Sequence, residues 1–399
     1  MNKKISLGAA ISFMAVVAAI TFTITMIFSL NIFNDKVYNV KEREELYKKV
    51  SELDHLIRQN YIGELDEQYL LDELSSGLMN GTSDPYAAYY DAETFSRLQA
   101  IEQGKLVGIG ASLSRDESGY IRLSKVYSGS PAASAGLKDG DLIVAVDGED
   151  VKVTGYSKAL EKLMGEPGTR VSVTYRRDSV DNSCEVLRKT FEVPVVSMEM
   201  QDDGNAYIKI SAFSEAAVKQ FRSILNKVAT EGATGIVFDL RNTAGGDLDS
   251  ACEMLDMLLP AGDLLSATYK DGTTQLLKRS DSNELALPMV TLINSKTQYA
   301  AELFAADLSD YEKSKLVGTN TYGQGVMQES YQLKDGSGVV MSSAYFNPAV
   351  SANFNETGIK PDYEVTLSSD AEKKLAYGEL VKADDAQLIK ALEVLDTSK

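Results

Sequence analysis

Few residues in this chain combine acid, base or nucleophile chemistry with a spacing that would let them cooperate. Of 399 residues one is histidine, His55, set among charged residues in a helical stretch from Leu46 to Gln59. A Ser-His-Asp triad would have to use it, and nothing nearby supplies its partners. The two cysteines, Cys184 and Cys252, fit no zinc spacing and fall in different predicted domains, so they read as free thiols. No metal site and no cofactor is expected. Two hydroxyls flank a lysine at Ser295-Lys296-Thr297, but neighbours on a loop seldom point at one another. Two glycine runs, Gly108-Ile109-Gly110 and Gly245-Gly246, let the backbone approach a ligand closely.

The elements around these runs follow from hydrophobic periodicity. From Asp35 to about Met79, apolar residues at Leu46, Val50, Leu53, Leu56 and Ile57 recur at helical spacing. A turn follows at Gly81-Thr82-Ser83-Asp84-Pro85. From Leu106 to about Val195 short strands alternate with turns: Ile121 to Val126, Gly140 to Gly148 and Val171 to Tyr175, with one helix from about Gly155 to Met164. From Asn205 the pattern becomes βα. Tyr207 to Ile210 is a strand, and Ala216 to Thr230 a helix. Gly235 to Leu240 and Met289 to Ile293 are continuous apolar strands, as in a sheet covered on both faces. Gly245-Gly246 opens a helix through Leu259, and a further helix runs from about Tyr299 to Leu308. Val339 to Met341 and Tyr345 add late strands, and the segment from Ser369 reads as a charged helical tail.

The chain is long enough for two or three domains. Its 58 acidic against 40 basic residues give a formal charge of -18, which disfavours nucleic acid as a partner. Lys3 and Lys4 precede a stretch, Ile5 to Phe33, with no charged residue. That exceeds the roughly 20 residues that span a bilayer. No cleavage site follows it, so it reads as an uncleaved signal anchor. The bulk of the chain, after about Asn34, is then expected outside the cytoplasm of a single-pass membrane protein.

Residues Leu106 to Val195 resemble a PDZ domain. Gly108-Ile109-Gly110 looks like the loop that receives a peptide's C-terminal carboxylate on successive backbone N–H groups. Ser130-Pro131-Ala132, Ala135-Gly136-Leu137, Gly140-Asp141 and Asp147-Gly148 look like the hallmark run of bacterial PDZ domains. The resemblance implies a peptide strand added beside the loop, with its last side chain in an apolar pocket. Leu106, Ile109 and Leu160 are the candidate pocket residues. The rest resembles the C-terminal processing peptidases. Asp84-Pro85-Tyr86, Tyr207 to Phe213, Asp239 to Gly246, Thr321 to Gly325 and Gly358 to Asp362 match that family's segments in order.

The family is a serine–lysine peptidase, and the resemblance implies where its machinery falls. The segment Asn294 to Glu302 corresponds to the nucleophile motif, and the residue in the serine slot is Tyr299. The residue in the lysine slot of Thr321-Tyr-Gly-Gln-Gly325 is Gln324, 25 residues on, which is the family spacing. Gln328 matches the glutamine that positions the lysine, and Gly245 and Gly246 correspond to an oxyanion-like pocket. Tyr299 reads either as a plug in the cleft or as core packing.

The expected fold is a multidomain α/β (α+β) chain. It comprises a transmembrane helix (1–34), a helical segment (35–100), a PDZ domain (101–196), a peptidase-like domain (197–368) and a helical tail (369–399). The expected function is a membrane-anchored peptidase homologue, inactive, binding protein C-termini as a regulator or scaffold. Its partner would be an active protease or that protease's substrate, and the helical ends would allow a homodimer. The alternative is an active serine-type peptidase with relocated chemistry, using Ser295 with Lys296, Lys313 or Lys315.

Overall fold

The computed structural model describes residues 7–102, 107–190, 193–281 and 283–397. Its contacts divide the chain into two units, Met1–Leu71 and Asp72–Lys399. The first unit is dominated by one helix, Leu7–Asn60, 54 residues long. Here the sequence expectation fails. Among the described residues no helix is long and apolar enough to cross a membrane. The apolar run is instead the opening part of a helix that continues unbroken into a charged stretch, where Glu44 and Lys48 pair at 2.6 Å. His55 lies exposed on this helix.

In the second unit a small β-domain occupies residues 107–190. Strands Ala111–Arg115, Ile121–Val126, Leu142–Val146, Arg170–Arg177 and Val180–Leu187 form one sheet in that order, each antiparallel to the next. Ile121, Leu123, Val171 and Val173 alternate with more exposed residues, so one face of the sheet is covered and the other wetted. The helix Tyr156–Leu163 covers that face with Ala159 and Leu163. Arg177 grips the buried Asp141 carboxylate through Nε at 2.7 Å and Nη2 at 2.6 Å, and donates to the Gly136 carbonyl at 2.9 Å.

The larger domain has a six-stranded sheet. Val196–Met200 is an edge strand, antiparallel to Ala206–Ile210, and Ile236–Asp239, Met289–Ile293, Ser314–Gly318 and Tyr363–Glu364 continue the sheet from Ala206–Ile210 in parallel. Both faces are covered. Ile236, Phe238, Met289 and Ile293 face the helices Glu215–Glu231, Leu248–Asp256 and Ala300–Asp310. Val237, Val290, Leu292 and Val317 face Leu388, Ala391, Val394 and Leu395 of the helix Ala386–Thr397. That helix is therefore a core layer, and the charged tail expected from Ser369 is confined to its exposed face and to Ser369–Tyr377. Ser214 caps the first covering helix by accepting from Ala217 N–H, and Asp247 caps the second by accepting from Ser250 N–H.

A second sheet carries Val326–Gln332, Gly338–Asn347, Gly262–Tyr269 and Thr274–Ser280. The short strand Ala88–Tyr90 joins it against Gly338 to Val340, so the segment before the β-domain belongs to the larger domain. Gly338 is required there, since a Cβ would stand 2.3 Å from the Phe95 ring.

Candidate functional site

The strands of the parallel sheet end at Asp239, Ile293 and Gly318, and the loops beyond those ends build the site, as is usual in α/β sheets. Tyr299 stands at the N-terminus of the helix Ala300–Asp310 with φ 55° and ψ -115°. A non-glycine residue held at positive φ is strained, and such strain persists only where its surroundings impose it. Its backbone N–H donates to Glu302 Oε2 at 3.0 Å, and its carbonyl accepts from Glu302 N–H at 2.9 Å. Its ring meets the buried Phe346 edge-on, centroids 5.6 Å apart. Its hydroxyl receives only a long 3.5 Å contact from Gln328 N–H. Burial pushes the phenol up to about 12, so it stays protonated through the physiological range.

Glu302 is the fixed point of the site. It is fully buried, and its carboxylate accepts four hydrogen bonds. Thr321 Oγ1 donates at 2.5 Å and Gly323 N–H at 2.7 Å to one oxygen; Tyr299 N–H at 3.0 Å and Gln324 N–H at 2.9 Å donate to the other. Thr321 Oγ1 also accepts from Ile359 N–H at 2.6 Å. One carboxylate thus binds the nucleophile-motif segment, the Thr321–Gly325 loop and, through Thr321, the Gly358–Asp362 segment. Burial raises its carboxyl above the usual range, and the four donors hold back part of that rise.

Gln324 is buried and wired into a row of neutral amides. Gln298 Nε2 donates to Gln324 Oε1 at 2.6 Å, Gln324 Nε2 to Gln328 Oε1 at 3.2 Å, and Gln328 Nε2 to the Tyr86 carbonyl at 2.9 Å. The Asp84 carboxylate accepts from Ser342 N–H at 2.9 Å alongside. The sequence-predicted Tyr299, Gln324 and Gln328 are therefore brought together, and the Asp84–Tyr86 segment is attached to them. Each amide in the row has a single orientation that satisfies its neighbours, and none of them titrates.

Gly245 and Gly246 adopt φ of 98° and 129°. A Cβ on Gly245 would fall 2.8 Å from Tyr299 Cβ, and one on Gly246 would fall 2.2 Å from the Phe213 carbonyl oxygen. The turn is pinned by Phe213 N–H to the Gly245 carbonyl at 3.0 Å, and by Asp247 N–H to the Phe213 carbonyl at 2.9 Å. Neither glycine N–H donates within the described residues, so two backbone donors remain beside Tyr299. That arrangement polarises carbonyl oxygens.

The hydroxyls and lysines named as relocated chemistry lie elsewhere. Thr297 is buried and donates to the Leu240 carbonyl at 2.9 Å. Ser295 and Lys296 are exposed. Lys313 pairs with Glu284, and Lys315 with Asp362 at 3.7 Å. Both sit at the start of Ser314–Gly318, up to about 16 Å along the strand from the end where the site lies.

The peptide-binding candidates lie in the β-domain. Leu106 falls outside the described residues. Gly108 pairs with Lys189, Gly110 has φ 73°, and the Ile109 carbonyl accepts from Ala132 N–H at 2.7 Å. Ile109 is buried in the domain core, and Leu160 is half-buried on the helix against the same core.

Sequence reasoning missed two arrangements. Gln298 has no periodic relation to Gln324 and could not be found from spacing. The other is a buried ion cluster behind the site. Arg241 donates to Asp239 through Nε at 2.9 Å and Nη2 at 2.7 Å, to Asp385 at 3.0 and 2.8 Å, and to Gln387 at 3.0 Å. The Tyr207 hydroxyl also donates to Asp239. Burial would raise Asp239, but the Arg241 guanidinium overrides it and holds the carboxyl below its usual range.

Comparison with known proteins follows the same segments. Residues 204–365 match the model of peptidase family S41, residues 122–177 a PDZ domain, and residues 6–94 the N-terminal domain of the activating protease CtpB. The carboxy-terminal processing protease CtpA of Bacillus subtilis is 29% identical over 379 residues, covering 94% of this chain and 80% of that protein. A carboxyl-terminal-processing protease of Synechocystis is 27% identical over 319 residues, covering 78% and 74%. A solved S41 protease structure from Bacteroides fragilis shares the fold, with TM-score 0.50 at 21% identity, over 74% of this chain and 84% of that one. A PDZ domain set before an S41 domain, with carboxyl-terminal processing proteases matching over most of its length, is the arrangement this chain shares with the C-terminal processing peptidase family.

Proposed function

We propose that this protein binds protein C-termini without hydrolysing them, as a regulator or scaffold for an active protease or that protease's substrate. The observation that carries the reading is the row Gln298–Gln324–Gln328–Tyr86. A serine–lysine mechanism needs a hydroxyl nucleophile beside an amine that is neutral when it acts. Here the two slots hold a phenol with its pKa raised to about 12 and an amide with no proton to exchange. The surrounding frame is kept: a strained helix N-terminus, two glycine donors and a four-fold hydrogen-bonded glutamate. Such a frame supports binding a peptide carbonyl without attacking it.

Capture of a C-terminus would fall to the β-domain. Its strand Ala111–Arg115 is an edge strand whose described partner is Ile121–Val126, leaving the other side open for an added strand. The test is titration of the whole chain with a peptide that ends in an apolar residue, as free acid and as amide. Charge-assisted hydrogen bonds to the carboxylate predict about tenfold or greater loss on amidation. Equal affinity of the two forms would refute the reading.

A further inference from the structure

We infer that the β-domain also reads an acidic side chain four residues before the peptide's end, held by Arg115. This rests on the proposed capture of C-termini by that domain. Side chains alternate along a strand, so Ala111, Leu113 and Arg115 of Ala111–Arg115 share one face. Ala111 and Leu113 pack against the domain core, which includes Ile109. Arg115 continues the row but is exposed, and its guanidinium carbon lies 5.8 Å from the centre of the Tyr156 ring. Tyr156 and Leu160 are one helical turn apart and both lean on the same core. The groove between strand and helix is therefore apolar beside the glycine run. At its far end it becomes cationic and phenolic.

Three other arginines of the domain have carboxylate partners. Arg122 reaches Glu379 at 3.5 Å, Arg176 reaches Asp181 at 2.7 Å and Arg177 reaches Asp141 at 2.6 Å. Arg115 has no carboxylate partner among the described residues, in a chain of net charge -18. The neighbouring Asp116 is engaged by the Ser118 N–H at 2.8 Å and the Ser118 hydroxyl at 2.5 Å. Arg115 is thus a cation with a preferred position, set by the tyrosine ring, and a vacant anion side.

The register follows from strand geometry. A peptide paired antiparallel with Ala111–Arg115 spans about 13 Å over four residue steps. With its last residue opposite Ala111, its residues at 0, −2 and −4 face the groove, and −4 falls opposite Arg115.

The experiment uses the whole chain and four peptides that share an apolar end: Glu at −4, Gln at −4, Glu at −3, and the Glu −4 peptide as its amide. An exposed ion pair predicts about threefold tighter binding of Glu over Gln at −4 at low salt, shrinking towards parity near 1 M salt. Glu at −3, pointing away from the groove, gains nothing. Arg115→Gln should abolish the preference for Glu over Gln at −4. If free acid beats amide but Glu and Gln at −4 bind alike, or if the preference survives Arg115→Gln, the assignment to Arg115 is overturned. If the amide binds as well as the free acid, C-terminal capture itself fails, and this inference fails with it.

Discussion

Replacing Glu302 by glutamine tests whether one buried carboxylate holds the site together. The side chain keeps its volume, so the change isolates the acceptor set. The carboxylate takes Thr321 Oγ1 and Gly323 N–H on one oxygen, Tyr299 N–H and Gln324 N–H on the other. An amide must turn its NH2 towards one of these pairs. Facing the Tyr299 and Gln324 amides it would leave two N–H groups without an acceptor. Facing Thr321 and Gly323 it leaves one, because the hydroxyl can rotate. The second orientation is therefore adopted, and one orphaned backbone donor costs about 1–3 kcal/mol. Loss of the charge weakens the surviving bonds but also removes the desolvation that raises this carboxyl. These two effects oppose each other, so Glu302→Gln should destabilise the larger domain by about 2 kcal/mol. The assay is urea unfolding, read as a lower midpoint at unchanged m-value. The pH dependence supplies a second sign. Because the folded carboxyl is raised, the native state binds the proton more tightly. Stability from this group then declines as pH rises from about 4.3 through the folded value. The variant should lack that slope. Stability within about 0.5 kcal/mol of wild type, together with an unaltered pH slope, would refute the role given to Glu302.

Four further outcomes follow from the same geometry. Arg241→Ala leaves Asp239 and Asp385 buried without their shared cation and should cost about 3–5 kcal/mol in denaturant unfolding. Asp239 is held below its usual range by that cation, so its contribution is complete above about pH 4 and disappears as pH falls through the lower folded value. Wild type should accordingly lose stability more steeply than Asp239→Asn below pH 4, as followed by urea midpoints. Gly246→Ala forces a Cβ to within 2.2 Å of the Phe213 carbonyl oxygen at φ 129°. It should lower stability by about 2 kcal/mol or more, whereas Tyr299→Phe, which gives up only a 3.5 Å contact, should cost under about 1 kcal/mol.

Much of the frame is legible in the sequence because it is periodic or punctuated. The apolar runs at Ile236–Asp239 and Met289–Ile293 read as strands covered on both faces, and they are. The glycine pair at 245–246 marks a turn that no side chain would fit. The slots at Tyr299 and Gln324 are legible because the segments around them keep their order, and Gln328 meets both, through its N–H to the Tyr299 hydroxyl and its Oε1 to Gln324. What stayed hidden depends on contacts between residues far apart in sequence. The Gln298–Gln324 bond spans 26 residues and the Arg241–Asp385 pair 144. The hairpin Gly262–Tyr269 with Thr274–Ser280 carries too many polar residues for its alternation to stand out. Leu388, Ala391 and Leu395 have helical spacing, but the charges between them suggested a free tail, and only the uncovered face of the sheet explains why they are buried. The apolar N-terminal stretch misled in the opposite way. Its composition suggested a membrane span, while the helix it begins runs on for 54 residues into charged sequence.

The most direct test of the central claim is hydrolysis. The whole chain, incubated with an unfolded protein and with apolar-ended peptides, is followed by mass spectrometry beside the double variant Tyr299→Ser with Gln324→Lys. No product is expected from the wild type above the protein-free control, and C-terminal fragments are expected from the variant. Cleavage by the wild type above that control, whether or not it persists in Tyr299→Phe, would contradict the reading.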